Sequence, residues 1–298
     1  MVPNPLPHRS IRDAIIEAVR RLSNAGIDSA RLDAEVLLAH VLKMSRGQLV
    51  VSRDSSLTEA QLAKYEWLLR RRIGREPIAY IIGSQEFWSL EFKVSSAVLI
   101  PRPETERLIE VALARVGKNG LALPINVADL GTGSGAIAIT LATELPAARL
   151  VATDISATAL AIAERNAASH GVEQRIDFLC GDLFASVADC AEKFDLIVGN
   201  PPYVESEVIA TLAPEIRDWE PRGALDGGAD GLDFYRRIAA EAYQLLAPNG
   251  LIVLEIGAGM GHQVSSLFAD LGQYRDIAVY QDYAGRDRVV SAANGLRA

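Results

Sequence analysis

Residues 200–203 read Asn-Pro-Pro-Tyr and directly follow the apolar stretch Phe194–Gly199. A strand that ends on an Asn and two prolines cannot continue its ladder, because neither proline has an N–H to donate. The Asn200 side-chain oxygen and the Pro201 carbonyl then stand as two acceptors at one strand end, with Pro202 fixing the corner and the ring of Tyr203 beside them. Two acceptors and an aromatic face match an –NH2 group on a flat support, such as an amide or a base amine. Asn and Pro also favour turns for purely conformational reasons. Taken alone, this corner supports either reading.

About seventy residues earlier, the short apolar run 125–130 is followed by Gly131-Thr132-Gly133-Ser134-Gly135 and then by residues 136–145, which have the composition of a buried helix ending before Pro146. This is strand, glycine loop, helix. The glycines permit a tight turn and bring backbone N–H groups close to a ligand near the positive end of the helix, so a nucleotide-like ligand is implied. The spacing is neither the dinucleotide fingerprint nor a phosphate-binding P-loop, since no Gly-Lys-Ser/Thr follows. The next strand, 148–153, ends in Asp154, an acid about 20 positions beyond the loop, where a ribose diol is gripped. A third strand, 175–180, ends in Gly181-Asp182-Leu183-Phe184. Asp182 accepts from an exocyclic amine there, while Leu183 and Phe184 offer apolar surface to a flat ring. Glycine loop, ribose acid, amine acceptor and Asn-Pro-Pro-Tyr thus fall at four successive strand ends, the edge of an open α/β sheet where ligands bind.

That ordered set resembles the S-adenosylmethionine-dependent methyltransferase fold, and Asn-Pro-Pro-Tyr resembles its amino-group-methylating branch. Ile100-Pro101-Arg102-Pro103-Glu104-Thr105-Glu106 lies upstream, and Glu220-Pro221, Ala224-Leu225, Gly227-Gly228, Asp230-Gly231-Leu232 and Tyr235 lie downstream. With these the chain resembles the release-factor glutamine N5-methyltransferases of the HemK/PrmC family, from about Arg72 to Val290 and more loosely over the N-terminus. The resemblance implies an α/β fold, a class I (Rossmann-like) methyltransferase sheet with a small N-terminal helical domain. It implies S-adenosyl-L-methionine as cofactor, leaving as S-adenosyl-L-homocysteine, held by Gly131, Thr132, Gly133, Ser134, Gly135, Asp154, Asp182, Leu183 and Asn200. Asn200, Pro201, Pro202 and Tyr203 are the implied catalytic corner. The implied substrate is the glutamine of the Gly-Gly-Gln motif in peptide-chain release factors. Leu183 stands where the family can carry an aromatic, so stacking on the adenine is expected to be weaker here.

Three other functions fit the same device: methylation of an exocyclic base amine in DNA or RNA, methylation of a ribosomal-protein glutamine, and a cofactor-sensing or scaffold protein without catalysis. A base methyltransferase must extract its base and neutralise phosphates, and no basic recognition domain is evident. Charge is uneven. Residues 1–80 carry thirteen Lys/Arg against nine Asp/Glu, net +4, and residues 81–298 carry seventeen against twenty-nine, net −12. The acidic remainder argues against nonspecific nucleic-acid binding, and no direct nucleic-acid substrate is expected. Arg70-Arg71-Arg72 with Arg75 is the densest basic cluster, facing either a partner or solvent.

A chain of 298 residues with 49% hydrophobic and 23% charged residues is expected to be a two-domain globular enzyme. The first residues lack the apolar core of a targeting signal, and no run approaches a membrane span. A cytoplasmic monomer is expected. Cys180 and Cys190 make neither a disulfide framework nor a metal site, and His8, His40, His170 and His262 lack ligand spacing.

Ser10 is a candidate N-cap, followed by Ile11, Ala14, Ile15, Ala18, Val19 and Leu22 at helical spacing, with Gly26 after the end. Residues 32–44 give a second helix. Thr58 and Gln61 form a capping box ahead of Leu62, Tyr65, Leu69 and Ile73, closed by Gly74. Residues 1–75 therefore read as a helical domain whose proline-rich first seven residues fray, and the resemblance implies that it docks the substrate. Residues 76–102 read as a linker with a β-hairpin, and 103–298 as the methyltransferase domain, opening on a helix from Pro103 through Ala114. Arg102 and Glu104 either orient substrate or pair structurally between domains. Glu255, at the end of the strand 251–254, reads as structural.

Overall fold

In the computed structural model residues 9–120, 124–187 and 193–295 are described; His8, Cys190 and the proline-rich start lie outside them. The chain divides into two compact units. The first takes the residues up to Gly83 together with Pro214–Trp219, and the second takes Ser84–Ala213 and the residues from Glu220 onward.

The first unit is helical, and its helix starts follow local chemistry. The Ser10 hydroxyl accepts from the Asp13 N–H at 3.1 Å and caps the helix Ile11–Asn24. Thr58 and Gln61 close the expected capping box, with reciprocal bonds of 3.2 and 2.9 Å, at the head of the helix Glu59–Ile73. A second box, Ser45 with Gln48, opens the short helix Arg46–Val51. Ile11, Ala14, Ala18 and Leu22 turn inward against Leu37 and Leu38 of the helix Ala30–Leu42 and against Leu68 and Leu69. The short helix Ile78–Ile82 adds Ile81 to the same core, which is why this unit extends past the boundary expected at residue 75.

The basic cluster is neither a free face nor plain solvated surface. Arg72 is 5% exposed and donates to Asp33 at 2.7 Å and to Glu215 at 2.9 Å. Arg75 donates to the other Glu215 oxygen at 2.8 Å and to the Gly26 carbonyl at 2.7 Å, and Arg71 pairs with Glu76 at 2.5 Å. Of the four, Arg70 stays at the surface, 3.3 Å from Glu66.

The second unit opens on the hairpin β1 (Ser84–Phe87) and β2 (Leu90–Lys93), followed by the helical stretch Glu106–Gly120. A seven-stranded sheet comes next: β3 (Asn126–Leu130), β4 (Arg149–Asp154), β5 (Ile176–Cys180), β6 (Phe194–Gly199), β7 (Leu246–Glu255), β8 (Tyr274–Gln281) and β9 (Asp287–Asn294). Spatial order is β5-β4-β3-β6-β7-β9-β8. The first five are parallel, and β9 runs antiparallel to both β7 and β8. Parallel strands with helical crossovers are buried on both faces, so they read as continuous aliphatic runs. Two apolar clusters flank the sheet, one holding Val127, Ile139, Leu141 and Leu150, the other Ile197, Tyr235, Ile252 and Phe268. Strand order reverses at β3, so the carboxyl ends of β3 and β6 meet at the switch point where such sheets bind ligands. Among the described residues no helix is long and apolar enough to cross a membrane.

Candidate active site

The carboxyl ends of β5, β4, β3 and β6 are neighbours, so the four motifs open onto one cavity of about 430 Å³. That is within the usual range for a small-molecule site. Its lining includes Gly131, Thr132, Gly133, Ser134, Asp154, Asp182, Leu183, Asn200, Pro201 and Pro202.

The loop after β3 is held from behind. The Thr132 hydroxyl donates to Asp129 at 2.6 Å, and the Ala138 N–H donates to the same oxygen at 3.2 Å. Asp129 is fully buried; burial pushes its carboxyl up to about 7, while Thr132 and the Ala138 N–H pull it back down. Asp154 Oδ2 accepts from the Gly133 N–H and Oδ1 from the Ser156 N–H, both at 2.9 Å, which fixes the carboxylate at the rim with lone pairs to spare. At Gly131 and Gly133 an added Cβ would meet nothing within 4 Å, so these positions face open space, as the floor of a ligand cradle must. Gly135 differs. It does not line the cavity, and its missing Cβ instead lets Ile139 and Ala163 pack at the start of the helix Ala136–Glu144.

On the β5 side the structure adds a partner to Asp182 and departs from the sequence reading at Phe184. Asp182 is already ion-paired to Arg237 at 2.8 Å, with both side chains near half exposed. Phe184 packs into the core and offers no face to the cavity, while Leu183 does line it. Ile155, 73% exposed, Phe234 and Arg237 line it too, and sequence reasoning missed all three. Ile155 carried a signal, an apolar residue stranded between the acid of a strand end and the N-cap Ser156 of the next helix. Phe234 and Arg237 come from the helix Asp233–Leu245, fifty residues beyond Asp182, and nothing local announced them.

At the end of β6, the Asn200 Nδ2 donates to the Thr105 hydroxyl at 3.4 Å, joining Asn-Pro-Pro-Tyr to the Ile-Pro-Arg-Pro-Glu-Thr-Glu element. Tyr203 is not part of the cavity lining; its ring lies against Gly257 and packs with Met260 on the apolar cluster. Burial, then the nearby Glu255, pushes its hydroxyl up to about 12, so it stays protonated. Gly227 and Gly231 brace the corner from outside. A Cβ at Gly227 would stand 2.8 Å from the Pro202 carbonyl oxygen, and one at Gly231 would stand 2.4 Å from that of Tyr203. These downstream glycines are where two backbones touch.

Arg102 lines the cavity and forms a close ion pair with Glu220, which also accepts from the Ile100 N–H at 3.3 Å. Both partners belong to the second unit, so the pairing is not one between domains. Behind Asn200 sits Glu255, 1% exposed. Burial pushes its carboxyl up to about 7, opposed in turn by the Thr105 hydroxyl, Arg288 and the Asn200 carboxamide, while Glu104 adds to the rise.

Residues 13–83 match the PrmC N-terminal domain family, and residues 112–216 match the methyltransferase small domain family. A release factor glutamine methyltransferase of Cereibacter sphaeroides is 46% identical over 94% of this chain and 97% of its own. One from Moorella thermoacetica is 44% identical over 94% and 96%. Among solved structures, the catalytic domain of hMettl16 in complex with a MAT2A 3'UTR hairpin superposes with a TM-score of 0.57 at 14% identity, over 80% of this chain and 83% of that one. At that identity the likeness concerns the fold.

Proposed function

The chain belongs to the release factor glutamine methyltransferase family, and we propose that it moves a methyl group from S-adenosylmethionine to the side-chain amide nitrogen of the Gly-Gly-Gln glutamine of a peptide-chain release factor. The observation that carries this reading is the corner at the end of β6. There Asn200 and Pro201, which can offer Oδ1 and a main-chain carbonyl as acceptors, line a cavity whose other end has the features of a nucleoside site.

The donor set fits the cofactor. Asp154 offers carboxylate lone pairs to a diol, the open backbone of Gly131 and Gly133 admits close approach, and Ile155 and Leu183 supply flat apolar contact. When bound, the cofactor supplies a methyl group already activated on a positive sulfur. No general base of the His or Cys kind is then required of the protein, because the nitrogen, once methylated, is strongly acidic and gives its surplus proton to water as the product leaves.

The residues have a different task, because an amide nitrogen is a poor nucleophile whose lone pair is delocalised into its carbonyl. Asn200 Oδ1 and the Pro201 oxygen accept its two N–H groups and orient it, which captures the proximity term. As the nitrogen gains positive charge its N–H groups become stronger donors. Both acceptors therefore bind the transition state more tightly than the ground state, the part of binding that accelerates chemistry. Pro201 and Pro202 hold the corner rigid, Tyr203 supports it from the apolar side, and the apolar lining excludes water. The helical first unit serves to dock the factor, and the reaction belongs to the cytoplasm, where peptide chains terminate.

The test is transfer of labelled methyl to a purified release factor, to the same factor with its motif glutamine changed to alanine, and to duplex DNA and RNA. Label on the intact factor alone is expected. Label on nucleic acid would keep the cavity's chemistry and overturn the substrate.

A further inference from the structure

Asn200 has two faces of opposite character. Its oxygen accepts and its nitrogen donates, so a flipped carboxamide would meet the substrate's N–H groups with N–H groups of its own. Something must hold it the right way round. Gly199 and Leu254 are register partners across β6 and β7, and one step further along lie Asn200 and Glu255. The strand before Glu255 is aliphatic and buried, and Leu254 itself is 0% exposed.

A purely structural account of this carboxyl is poor. Arg288 Nη1 lies 3.9 Å from it, and the same guanidinium is shared with Asp282 at 3.5 Å. The Tyr235 hydroxyl donates at 2.8 Å to the Glu255 main-chain carbonyl and not to the carboxyl. Oε2 is buried without a hydrogen-bond partner. A carboxylate compensated this incompletely costs stability, and an aliphatic or amide side chain would suit the fold better.

We propose that Glu255 is a positioning residue for methyl transfer: with Thr105 it draws the Asn200 Nδ2 inward, leaving Oδ1 to the substrate and making that oxygen a stronger acceptor. This rests on the role given above to Asn200. A carboxylate receiving an N–H of a carboxamide polarises the whole amide, which is hydrogen-bond cooperativity in a site of low dielectric. Once protonated, the carboxyl loses that pull and gains an O–H that competes for Oδ1. The groups that set its titration are Arg288, which favours the anion, and Glu104, which opposes it, with the neutral hydroxyls of Tyr203 and Tyr235 packed alongside. The carboxyl is raised to about 7, so kcat/KM for the cofactor, which reports the free enzyme, is expected to fall as pH drops through that value. The limb in kcat lies lower, because a bound sulfonium favours the anion.

The experiment is a pH profile of methyl transfer to a release factor, from about pH 5.5 to 9, a range bracketing both buried carboxyls. The unmodified protein is compared with Glu255→Gln, Arg288→Gln and Asp129→Asn. Glu255→Gln keeps an acceptor but no charge; kcat should fall roughly ten-fold, the step from a charged to a neutral hydrogen bond, with both KM values held and the acid limb gone. Arg288→Gln should move the limb to higher pH. Asp129 also titrates near 7, so Asp129→Asn must leave the kcat limb in place. An unaltered limb in Glu255→Gln, or a loss confined to KM, overturns the proposal. If Glu255→Gln does not fold, an unshifted limb in Arg288→Gln overturns it instead. Absence of transfer by the unmodified protein would overturn the substrate assignment, a result distinct from transfer with an unmoved profile.

Discussion

In the helical unit the inward carboxylates are answered: the Arg72 guanidinium meets Asp33 and Glu215, and Arg75 takes the second Glu215 oxygen, although the Arg75 Nε stays buried without a partner. At the edge of the sheet, Asp129 and Glu255 are buried more deeply, and each keeps one carboxyl oxygen without a partner. The titrations diverge accordingly. Hydrogen bonds from arginines lower the carboxyls of Glu35 and Glu66; at Glu215 burial pushes up but is outweighed by a backbone hydrogen bond and by those from Arg72 and Arg75, whereas burial raises Asp129 and Glu255 to about 7. Answered charge locks an architecture together. Unanswered charge at a cavity wall has a bias left over for a ligand or a reacting group.

The sharpest way to break this contrast is Arg72→Ala, which strands the buried Asp33 carboxylate and leaves Glu215 to Arg75 alone. It should cost about 3–5 kcal/mol of folding stability by denaturant unfolding, with cofactor affinity unchanged. A loss under 1 kcal/mol would mean the network is no lock. Next comes Asn200→Ala, expected to lower kcat by about 10² or more while calorimetry finds the cofactor held nearly as before. Retained turnover with lost cofactor binding would remove Asn200 from the chemistry. Asp154→Ala should show the reverse pattern, weakening cofactor binding by about 1.5–3 kcal/mol; unchanged affinity would detach Asp154 from the ribose.

The smallest effect is in stability against pH. Asp129 and Glu255 have folded values above their unfolded ones of 3.8 and 4.5, so their favourable contribution is complete below about 4 and is lost as pH rises through about 7. Glu35, Glu66 and Glu215 act in the opposite sense, their contribution being lost as pH falls below about 4.5. Thermal midpoints should therefore decline between pH 5 and 7 (window set by those two ranges), and Glu255→Gln should flatten part of the decline. An equal slope in both proteins would contradict the raised carboxyl.

Much of the frame was legible because the signals are local. Caps at Ser10 and Thr58, aliphatic runs at 126–130 and 194–199, and glycines after β3 each constrain the backbone within a few residues. The cavity side of the site was legible for the same reason, since Asp154 and Asn200 sit at the ends of strands that the runs themselves locate. What escaped depends on distant partners. Arg237 on Asp182, Glu220 on Arg102 and Glu215 on Arg72 each join residues tens to more than a hundred positions apart. The C-terminal pair β8 and β9 also escaped, because β8 is a mostly exposed edge strand without a clean alternation. For Glu255 the sequence offered only its position, since an acid closing an aliphatic strand looks the same whether or not an amide stands beside it.

Six residues, Pro214–Trp219, belong to the helical unit although the chain on either side of them belongs to the sheet unit. In terms of descent, the helical unit is therefore not a cassette that one recombination event can exchange. A substitute for the residues up to Gly83 would arrive without Arg72 and Arg75, while Glu215 stays behind in the host chain as an acid facing whatever replaces them. Lineages that swap or reshape the helical unit must rewrite a second, remote stretch of sequence at the same time, and that stretch lies between Asn-Pro-Pro-Tyr and Glu220.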